Sequence, residues 1–185
     1  MRFLLLPLYL VYGLIISIRN ILFDWKILKS KKYDLPIICV GNISVGGTGK
    51  TPHIEYLINL LSEKNITILS RGYGRVSKDE KLVTIDSDYL DVGDEPLQIK
   101  QKFPQTNVIV SKNRRRGMEE ILKKHPSTDI VLMDDGFQHR WVEKGLNIIL
   151  NNYSRPIYSD YLMPIGRLRE SISSIKRANI IITTK

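Results

Sequence analysis

The segment that most constrains the fold of this chain is a glycine-rich stretch that directly follows an apolar run. Residues 36–40 read Pro-Ile-Ile-Cys-Val, and residues 41–51 read Gly-Asn-Ile-Ser-Val-Gly-Gly-Thr-Gly-Lys-Thr. A strand, a glycine-rich turn and a helix that begins at Gly-Lys-Thr form a phosphate-binding loop, because small residues let successive backbone N–H groups surround a phosphate. The helix N-terminus adds a partial positive charge at the same place.

This phosphate-binding loop (residues 41–51) predicts a site for a nucleoside triphosphate. Lys50 would reach the outer phosphates, and the Thr51 hydroxyl would hold Mg²⁺. The predicted nucleotide-binding residues are Val45, Gly46, Gly47, Thr48, Gly49, Lys50 and Thr51. The general pattern has a glycine where this chain has Ser44, but the following residues Ile54, Leu57, Ile58 and Leu61 show the spacing of one buried helix face. The alternative is a glycine-rich turn that binds nothing.

Short apolar runs alternate with helical patterns along the rest of the chain. Strands are predicted at 66–69, 82–85, 107–110, 130–133, 147–150 and 179–184, and helices from 95–96 onward and over 114–124. Short apolar strands between helices are typical of a mostly parallel sheet covered on both faces. We therefore predict an α/β fold of the P-loop NTPase type with flanking helices. Residues 1–32 are predicted as an N-terminal segment and residues 33–185 as the nucleotide-binding core.

The N-terminal segment is apolar and then basic. Residues 3–18 are almost wholly apolar, but Pro7 and Gly13 interrupt the run, and spanning a bilayer takes about 20 apolar residues. This pattern favours a membrane-associated helix that lies in the membrane surface. The basic residues that would contact anionic headgroups are Arg19, Lys26, Lys29, Lys31 and Lys32. A cleaved signal peptide, a helix of the protein core and a short membrane span remain alternatives.

Composition limits the partners of the chain. The 28 basic against 19 acidic residues give a net charge of +9, which suits an anionic partner such as a nucleotide, a phospholipid surface or a phosphorylated substrate. Basic residues do not alternate with aromatic residues along a stripe, so nucleic acid is an unlikely partner. The single cysteine, Cys39, lies in a predicted strand and fits a reducing cytosol without disulfides.

Two groups of carboxylates are candidate site residues. Asp134 and Asp135 follow the predicted strand 130–133, where an acidic residue of a phosphate-loop fold usually holds Mg²⁺ directly or through water. Gln138 and His139, just beyond them, could reach a polar acceptor; the alternative is an ordinary turn. Asp94 stands at a predicted helix start, where it is either the N-cap or a general base that accepts a proton from a substrate hydroxyl. The residues alone leave both roles open.

Arginines at six positions are candidate contacts for an anionic substrate. Arg71 follows the predicted second strand, the cluster Arg114-Arg115-Arg116 begins a predicted helix, and Arg167 and Arg169 follow a Pro-Ile-Gly turn. Arginine suits this task because its planar guanidinium offers a fork of donors that matches phosphate. Exposure on a solvated surface is the alternative for each of them.

Taken in order, the motifs of this chain resemble those of the tetraacyldisaccharide 4′-kinase family, the lipid A 4′-kinases of Gram-negative bacteria. The family also lacks the glycine that Ser44 replaces. The resemblance covers essentially the whole chain and rests on Gly41-Asn42 with residues 45–52, Ser70-Arg71-Gly72-Tyr73-Gly74, Gly93-Asp94-Glu95-Pro96, Asn113-Arg114, residues 134–139, residues 163–170 and Thr184-Lys185.

The resemblance implies transfer of the γ-phosphate of ATP to the 4′-hydroxyl of a tetraacylated glucosamine disaccharide 1-phosphate at the cytoplasmic side of the inner membrane. It makes residues 33–185 a kinase core. Carried over by position, Lys50 and Thr51 serve ATP and Mg²⁺, and Asp94 is the base. The other positions that carry over are Asp134 and Asp135 for Mg²⁺, substrate and catalysis, and Gln138, His139, Arg114 and Arg169 for the polar head of the lipid.

Members of that family are much longer and carry a second lobe that helps enclose the nucleotide. We therefore expect this chain to be a fragment with weak or no kinase activity by itself. Two rival interpretations remain. Partitioning-type ATPases share the loop, but they have a signature lysine where this chain has Val45. The other rival is a module that binds nucleotide or lipid without catalysis.

Overall fold

The computed structural model describes residues 5–77 and 79–184, which form a seven-stranded sheet flanked by helices. The strands are β1 (Ile37–Gly41), β2 (Ile66–Ser70), β3 (Lys81–Leu82), β4 (Asn107–Val110), β5 (Ile130–Asp134), β6 (Leu146–Asn152) and β7 (Ile180–Thr184). The helices are α1 (Leu6–Asp24), α2 (Lys50–Leu60), α3 (Tyr89–Val92), α4 (Asp94–Lys102) and α5 (Arg114–Lys124), with 3₁₀ turns at Ile157–Ser159 and Ile172–Arg177.

The strand order is β3-β4-β2-β5-β1-β6-β7, and every pairing is parallel except that of β3 with β4. Successive side chains of a strand point to opposite faces, so the sheet separates two apolar layers. In β1, Cys39 lies in one layer and Val40 in the other. Met118 of α5 packs into the first layer and Ile54 of α2 into the second, which covers both faces.

The register of the central strands brings their carboxyl ends together. Val40 of β1 pairs with Asp134 of β5, and Leu69 of β2 pairs with Met133. The residues that follow these strands therefore meet at one edge of the sheet, where α/β folds of this type bind their ligands.

The predicted α/β fold with a mostly parallel sheet is confirmed, and most predicted elements are present. The strand predicted at 82–85 is wrong in extent, because β3 ends at Leu82 and a turn follows in which Ser87 N–H donates to the carbonyl of Thr84 at 3.2 Å. The sequence pattern did not indicate α3, a single turn that begins where Asp88 accepts from the N–H of Leu90 at 2.9 Å. Residues 1–4 and 185, which the predicted segments include, lie outside the described residues.

Helix α1 contacts the sheet domain through a few polar side chains and one buried aromatic ring. The Tyr12 hydroxyl donates to the carbonyl of Arg169 at 2.8 Å, and Arg19 pairs with Glu170 at 2.6 Å. Near the helix end, Phe23 packs edge-on against Trp141 with ring centroids 4.9 Å apart.

Most of α1 is exposed, so the alternative of a core helix is wrong. Phe23 is its one buried residue. Its exposed apolar residues include Leu8, Leu10, Val11, Leu14, Ile15 and Ile18. Within the described residues, α1 is the one helix whose length and composition would allow it to cross a membrane, a test that a signal sequence near an N-terminus also passes.

We predict that Gly117→Ala destabilises the protein, because α5 approaches β2 closely at Gly117. A Cβ there would lie 2.5 Å from Leu69 Cδ1 and 3.0 Å from Ser111 Cβ. Helix propensity alone would favour alanine by about 1 kcal/mol, whereas overpacking costs about 1–3 kcal/mol. Urea unfolding should therefore show a net loss of stability. Gly145→Ala is the control, since its Cβ would meet only the Ile37 carbonyl at 3.6 Å; equal stabilities of the two variants would contradict the close approach.

Candidate active site

The phosphate-binding loop leaves β1 at Gly41 and ends where α2 begins at Lys50. Gly46 has φ 118° and Gly49 has φ 77°, backbone conformations that residues with a Cβ rarely adopt. The entry of the loop is held in a short antiparallel ladder with residues 167–169. Val45 N–H donates to the carbonyl of Arg167 at 2.8 Å, and Arg169 N–H donates to that of Ile43 at 2.7 Å.

Hydrogen bonds from three elements fix the interior of this loop. The Asn42 amide donates to Thr48 Oγ1 at 2.8 Å, and the Gln138 amide donates to the carbonyl of Asn42 at 2.7 Å. From the end of β7, the Thr184 hydroxyl donates to the carbonyl of Thr48 at 3.1 Å. Thr48 is buried, and its hydroxyl and carbonyl accept two of the hydrogen bonds that hold the loop in shape.

Asp135 lies at the centre of a charge cluster with Lys50 and Arg169. Its carboxylate is 3.8 Å from Lys50 Nζ and 2.9 Å from Arg169 Nη1. Burial alone would raise its pKa, but Lys50 and Arg169 lower the pKa of Asp135 below its usual range. Asp135 also has φ 47°, and such strained backbone is concentrated at functional sites.

Asp134, the neighbouring carboxylate, is buried at the end of β5. It accepts a hydrogen bond from the Ser70 hydroxyl at 3.0 Å. Burial, followed by the negative charge of Asp135, raises the pKa of Asp134. The two adjacent acids thus differ: Asp135 is held in the charged form by cations, whereas the protonated form of Asp134 is favoured relative to that of an ordinary aspartate.

Arg114 does not lie on the solvated surface. Its side chain is buried, and the guanidinium donates to the backbone carbonyls of Ser111 and Asp134, the latter at 2.9 Å. Ser111 directly follows β4, and Asp134 is the last residue of β5. By donating to both carbonyls, Arg114 joins the ends of these two strands and positions the Asp134-Asp135 turn. The alternative of a solvated arginine is wrong for the same reason.

Asp94 is the first residue of α4, and Gly93 is the N-cap, so the N-cap role considered for Asp94 is wrong. The Asp94 carboxylate accepts from the N–H of Glu95 at 2.9 Å and faces a cavity. Glu95, which the sequence analysis did not select, faces the same cavity; loss of hydration and then the charge of Asp134 raise its pKa. Its position beside Asp94 in the Gly-Asp-Glu-Pro motif is the signal that could have identified it.

One cavity of about 530 Å³, here called the transfer cavity, brings most of the predicted residues together. The predicted residues that line it are Val45, Gly46, Lys50, Arg71, Asp94, Asp134, Asp135, Gln138, His139 and Arg169. Gly47, Thr48, Gly49, Thr51 and Arg114 are not among its lining residues. The residues that line it without having been predicted are Tyr12, Ile16, Arg19, Ser70, Tyr73, Glu95 and Met163, of which the first three belong to α1.

The residues present fit a Mg²⁺ ion that is shared with phosphates. Thr51 lies in the first turn of α2 and Asp134 at the end of β5, two oxygen donors of the kind that Mg²⁺ prefers. Among residues 5–77 and 79–184, no group of three His, Cys, Asp or Glu side chains could hold a metal ion. Mg²⁺ in nucleotide sites takes one or two protein ligands and completes its shell with phosphate and water.

Comparisons with known proteins give one consistent answer. The family described as tetraacyldisaccharide-1-P 4′-kinase matches residues 1–185. A tetraacyldisaccharide 4′-kinase of Bacteroides thetaiotaomicron is 50% identical over 183 residues, which are 98% of this chain and 48% of that protein. One of Flavobacterium johnsoniae is 50% identical over 186 residues, 100% of this chain and 55% of that protein. The chain thus spans about half the length of the curated relatives it matches.

A solved structure is similar as well. The crystal structure of the "apo" form of LpxK from Aquifex aeolicus in complex with ATP superimposes with a TM-score of 0.92 and is 41% identical. The match covers 99% of this chain and 58% of that chain. The fold is therefore that of a known group of proteins.

We predict that His139 makes the protein less stable in acid. Burial, followed by the positive charges of Arg114, Lys144 and Arg71, lowers the pKa of His139 from 6.5 to about 3. Between these pH values the unfolded chain binds the proton and the folded chain does not, so stability falls as pH falls from 6.5 toward 3. His139→Gln should reduce the loss of unfolding free energy between pH 6.5 and pH 4 by about 2–3 kcal/mol. Parallel acid profiles of the two proteins, measured by urea unfolding, would contradict this prediction.

Proposed function

The chain belongs to the tetraacyldisaccharide-1-P 4′-kinase family, and we propose that it forms the phosphoryl-transfer domain of an ATP-dependent kinase. The acceptor is the 4′-hydroxyl of a tetraacylated glucosamine disaccharide 1-phosphate. The observation that carries the proposal is the transfer cavity, where Lys50 of the phosphate-binding loop faces the carboxylates of Asp94, Asp134 and Asp135. Phosphoryl transfer depends mainly on positioning and on neutralising charge, and this cavity supplies groups for both.

The loop is the site for the ATP phosphates. Backbone N–H groups of Gly46, Gly47 and Gly49 would surround the β-phosphate, and Lys50 would contact the outer oxygens, as in other loops of this type. Thr51 and Asp134 are the residues that would hold Mg²⁺, directly or through water. When bound, the ion neutralises charge on the β- and γ-phosphate oxygens.

Asp94 is the residue we assign as general base. It lines the cavity at the start of α4, and Lys50 of the loop lines the same cavity. It would take the proton of the 4′-hydroxyl as the hydroxyl oxygen bonds to the γ-phosphorus. At the same time, the bond from the γ-phosphorus to the β,γ-bridging oxygen breaks and ADP leaves with that electron pair.

Asp135 organises the cations of the cavity. It holds Lys50 and Arg169 within ion-pair distance, so both cations are directed to the region where the phosphoryl group would move. Arg71, Gln138 and His139 line the same cavity and are the proposed contacts for the polar head of the acceptor. Arg114 acts indirectly, by holding the turn that carries Asp134.

Helix α1 is proposed to lie in the cytoplasmic face of the inner membrane and to bring the lipid acceptor to the cavity. Two observations support this: its apolar side chains are exposed, and Tyr12, Ile16 and Arg19 of the same helix line the transfer cavity. A lipid held by the apolar face could therefore place its headgroup in the cavity without leaving the membrane surface.

Asp94→Asn should abolish most of the transfer. The amide cannot accept the proton, so kcat should fall by about 10²–10⁴-fold while the Kd for ATP stays the same. The assay is transfer from Mg-ATP to tetraacyldisaccharide 1-phosphate in mixed micelles, read by mass spectrometry. Asp86→Asn, an exposed carboxylate outside the cavity, is the control. A variant at Asp94 that keeps normal kcat would overturn the assignment. ATP binding without product in the parent chain would fit a fragment as well as a binding module, and a protein of the relatives' full length would then be assayed to distinguish the two.

Leu14→Glu should weaken binding to vesicles. Leu14 lies on the exposed side of α1, and Leu60 of α2 has the same exposed fraction of 61%, which makes Leu60→Glu a matched control. Placing a carboxylate among apolar side chains that enter the membrane should lower the fraction bound by about tenfold or more. Sedimentation with vesicles that contain anionic lipid measures this fraction. Equal effects of the two substitutions would mean that α1 is not the membrane-binding face.

A further inference from the structure

A second cavity, of about 490 Å³, adjoins the transfer cavity. It is lined by Lys112, Asn113, Arg114, Arg115, His139 and Trp141, and we call it the basic cavity. His139 lines both cavities, so the imidazole stands between them. The transfer chemistry described above involves none of Lys112, Arg115 and Trp141.

The basic cavity presents cations without a lining carboxylate. Lys112 and Arg115 are exposed, and within the described part of the chain neither forms an ion pair. Glu119, a carboxylate of the same helix, is already paired with Lys31 at 2.8 Å. At the floor, the buried Nε–H of Arg114 has no hydrogen-bond partner. Lys112 and Arg115 therefore bring positive charge to the cavity for which the described residues provide no ion-pair partner.

Trp141 gives the cavity one rigid wall. Its ring packs edge-on against the buried Phe23 with centroids 4.9 Å apart, and the Arg115 guanidinium lies 5.9 Å from its centroid. The ring of Trp141 limits the conformational freedom of the Arg115 side chain, and the indole N–H of Trp141 is a further hydrogen-bond donor. Cations placed on a rigid support lose less entropy when they bind an anion.

We propose that the basic cavity binds a phosphate monoester, the 1-phosphate that the acceptor already carries, through Lys112 and Arg115. This inference rests on the proposed function. The acceptor has its reactive 4′-hydroxyl and its 1-phosphate at opposite ends of a disaccharide. The transfer cavity, which contains the base Asp94, would receive the end with the 4′-hydroxyl, and the basic cavity would receive the end with the 1-phosphate. The disaccharide would pass from one cavity to the other beside His139, which lines both.

Guanidinium and ammonium groups suit this ligand. A phosphate monoester near neutral pH carries close to two negative charges, and arginine binds it with two parallel hydrogen bonds. The neutral His139 can share a hydrogen bond with a sugar hydroxyl between the two sites, because its ring carries one donor and one acceptor.

The test compares Lys112→Gln/Arg115→Gln with Arg116→Gln. Arg116 is exposed on the same helix but does not line the cavity, so its loss changes the net charge without touching the site. The probes are tetraacyldisaccharide 1-phosphate and the same lipid without its phosphate, both in micelles of neutral detergent. The double variant should bind the phosphorylated lipid about 10- to 100-fold more weakly, since two charge-assisted contacts are lost. Binding of the dephosphorylated lipid and of ATP should not change.

The proposal would be overturned by a double variant that keeps the preference for the phosphorylated lipid, by a parent chain without that preference, or by an equal loss in Arg116→Gln. Adding inorganic phosphate or phosphatidylglycerol to the micelles separates the sources of phosphate. Competition by phosphatidylglycerol at equal concentration would reveal a general headgroup site and contradict the assignment to the acceptor. Loss of the preference in the double variant supports the inference even if the parent chain transfers no phosphate. The absence of transfer in the parent chain would count only against the proposed kinase activity.

Discussion

The site depends on the placement of two adjacent carboxylates where β5 ends beside the phosphate-binding loop. Asp134 is buried there, a position that is unfavourable for a charge unless hydrogen bonds compensate. The Ser70 hydroxyl donates to its carboxylate, and the buried Arg114 donates to its carbonyl. With that residue fixed, the strained backbone of the next one turns the Asp135 carboxylate toward Lys50 and Arg169. The parallel register of β2, β5 and β1 is what brings these groups within reach of one another.

Most of the fold and part of the site could be predicted because their signals are local in sequence. The loop at residues 41–51, the apolar strands and the Asp134-Asp135 pair each occupy one short stretch whose neighbours determine its structure. Arg114 could not be assigned in this way, because its guanidinium also donates to the carbonyl of Asp134, 20 positions away in the sequence, which only the folded sheet brings within reach. The contribution of α1 to the lining of the transfer cavity was not predicted for the same reason, because Tyr12 of α1 and its hydrogen-bond partner Arg169 are 157 positions apart in the sequence.

Helix α1 is joined to the site through two neighbouring residues of a single segment. Glu170 is fully buried and pairs with both Arg19 of α1 and Arg177, so its charge is balanced by two cations. Removing one of the partners of a buried ion group is strongly destabilising, which makes this contact more important than a surface pair. The preceding residue, Arg169, accepts from Tyr12 through its carbonyl and contacts Asp135 through its side chain. The position of α1 therefore bears directly on the charge cluster of the transfer cavity.

The low pKa of His139 gives a physical reason for the arrangement of the two cavities. Cations on several sides, among them Arg114, Lys144 and Arg71, oppose a positive charge on the imidazole, in addition to the effect of burial. A neutral ring between two positive regions adds no repulsion of its own, and it leaves both regions available to anions. In the proposed function, the acceptor has one phosphate that is held and one hydroxyl that is phosphorylated. A neutral His139 between the two cavities would keep these two proposed sites separate, because it adds no positive charge that would join them into one anion site.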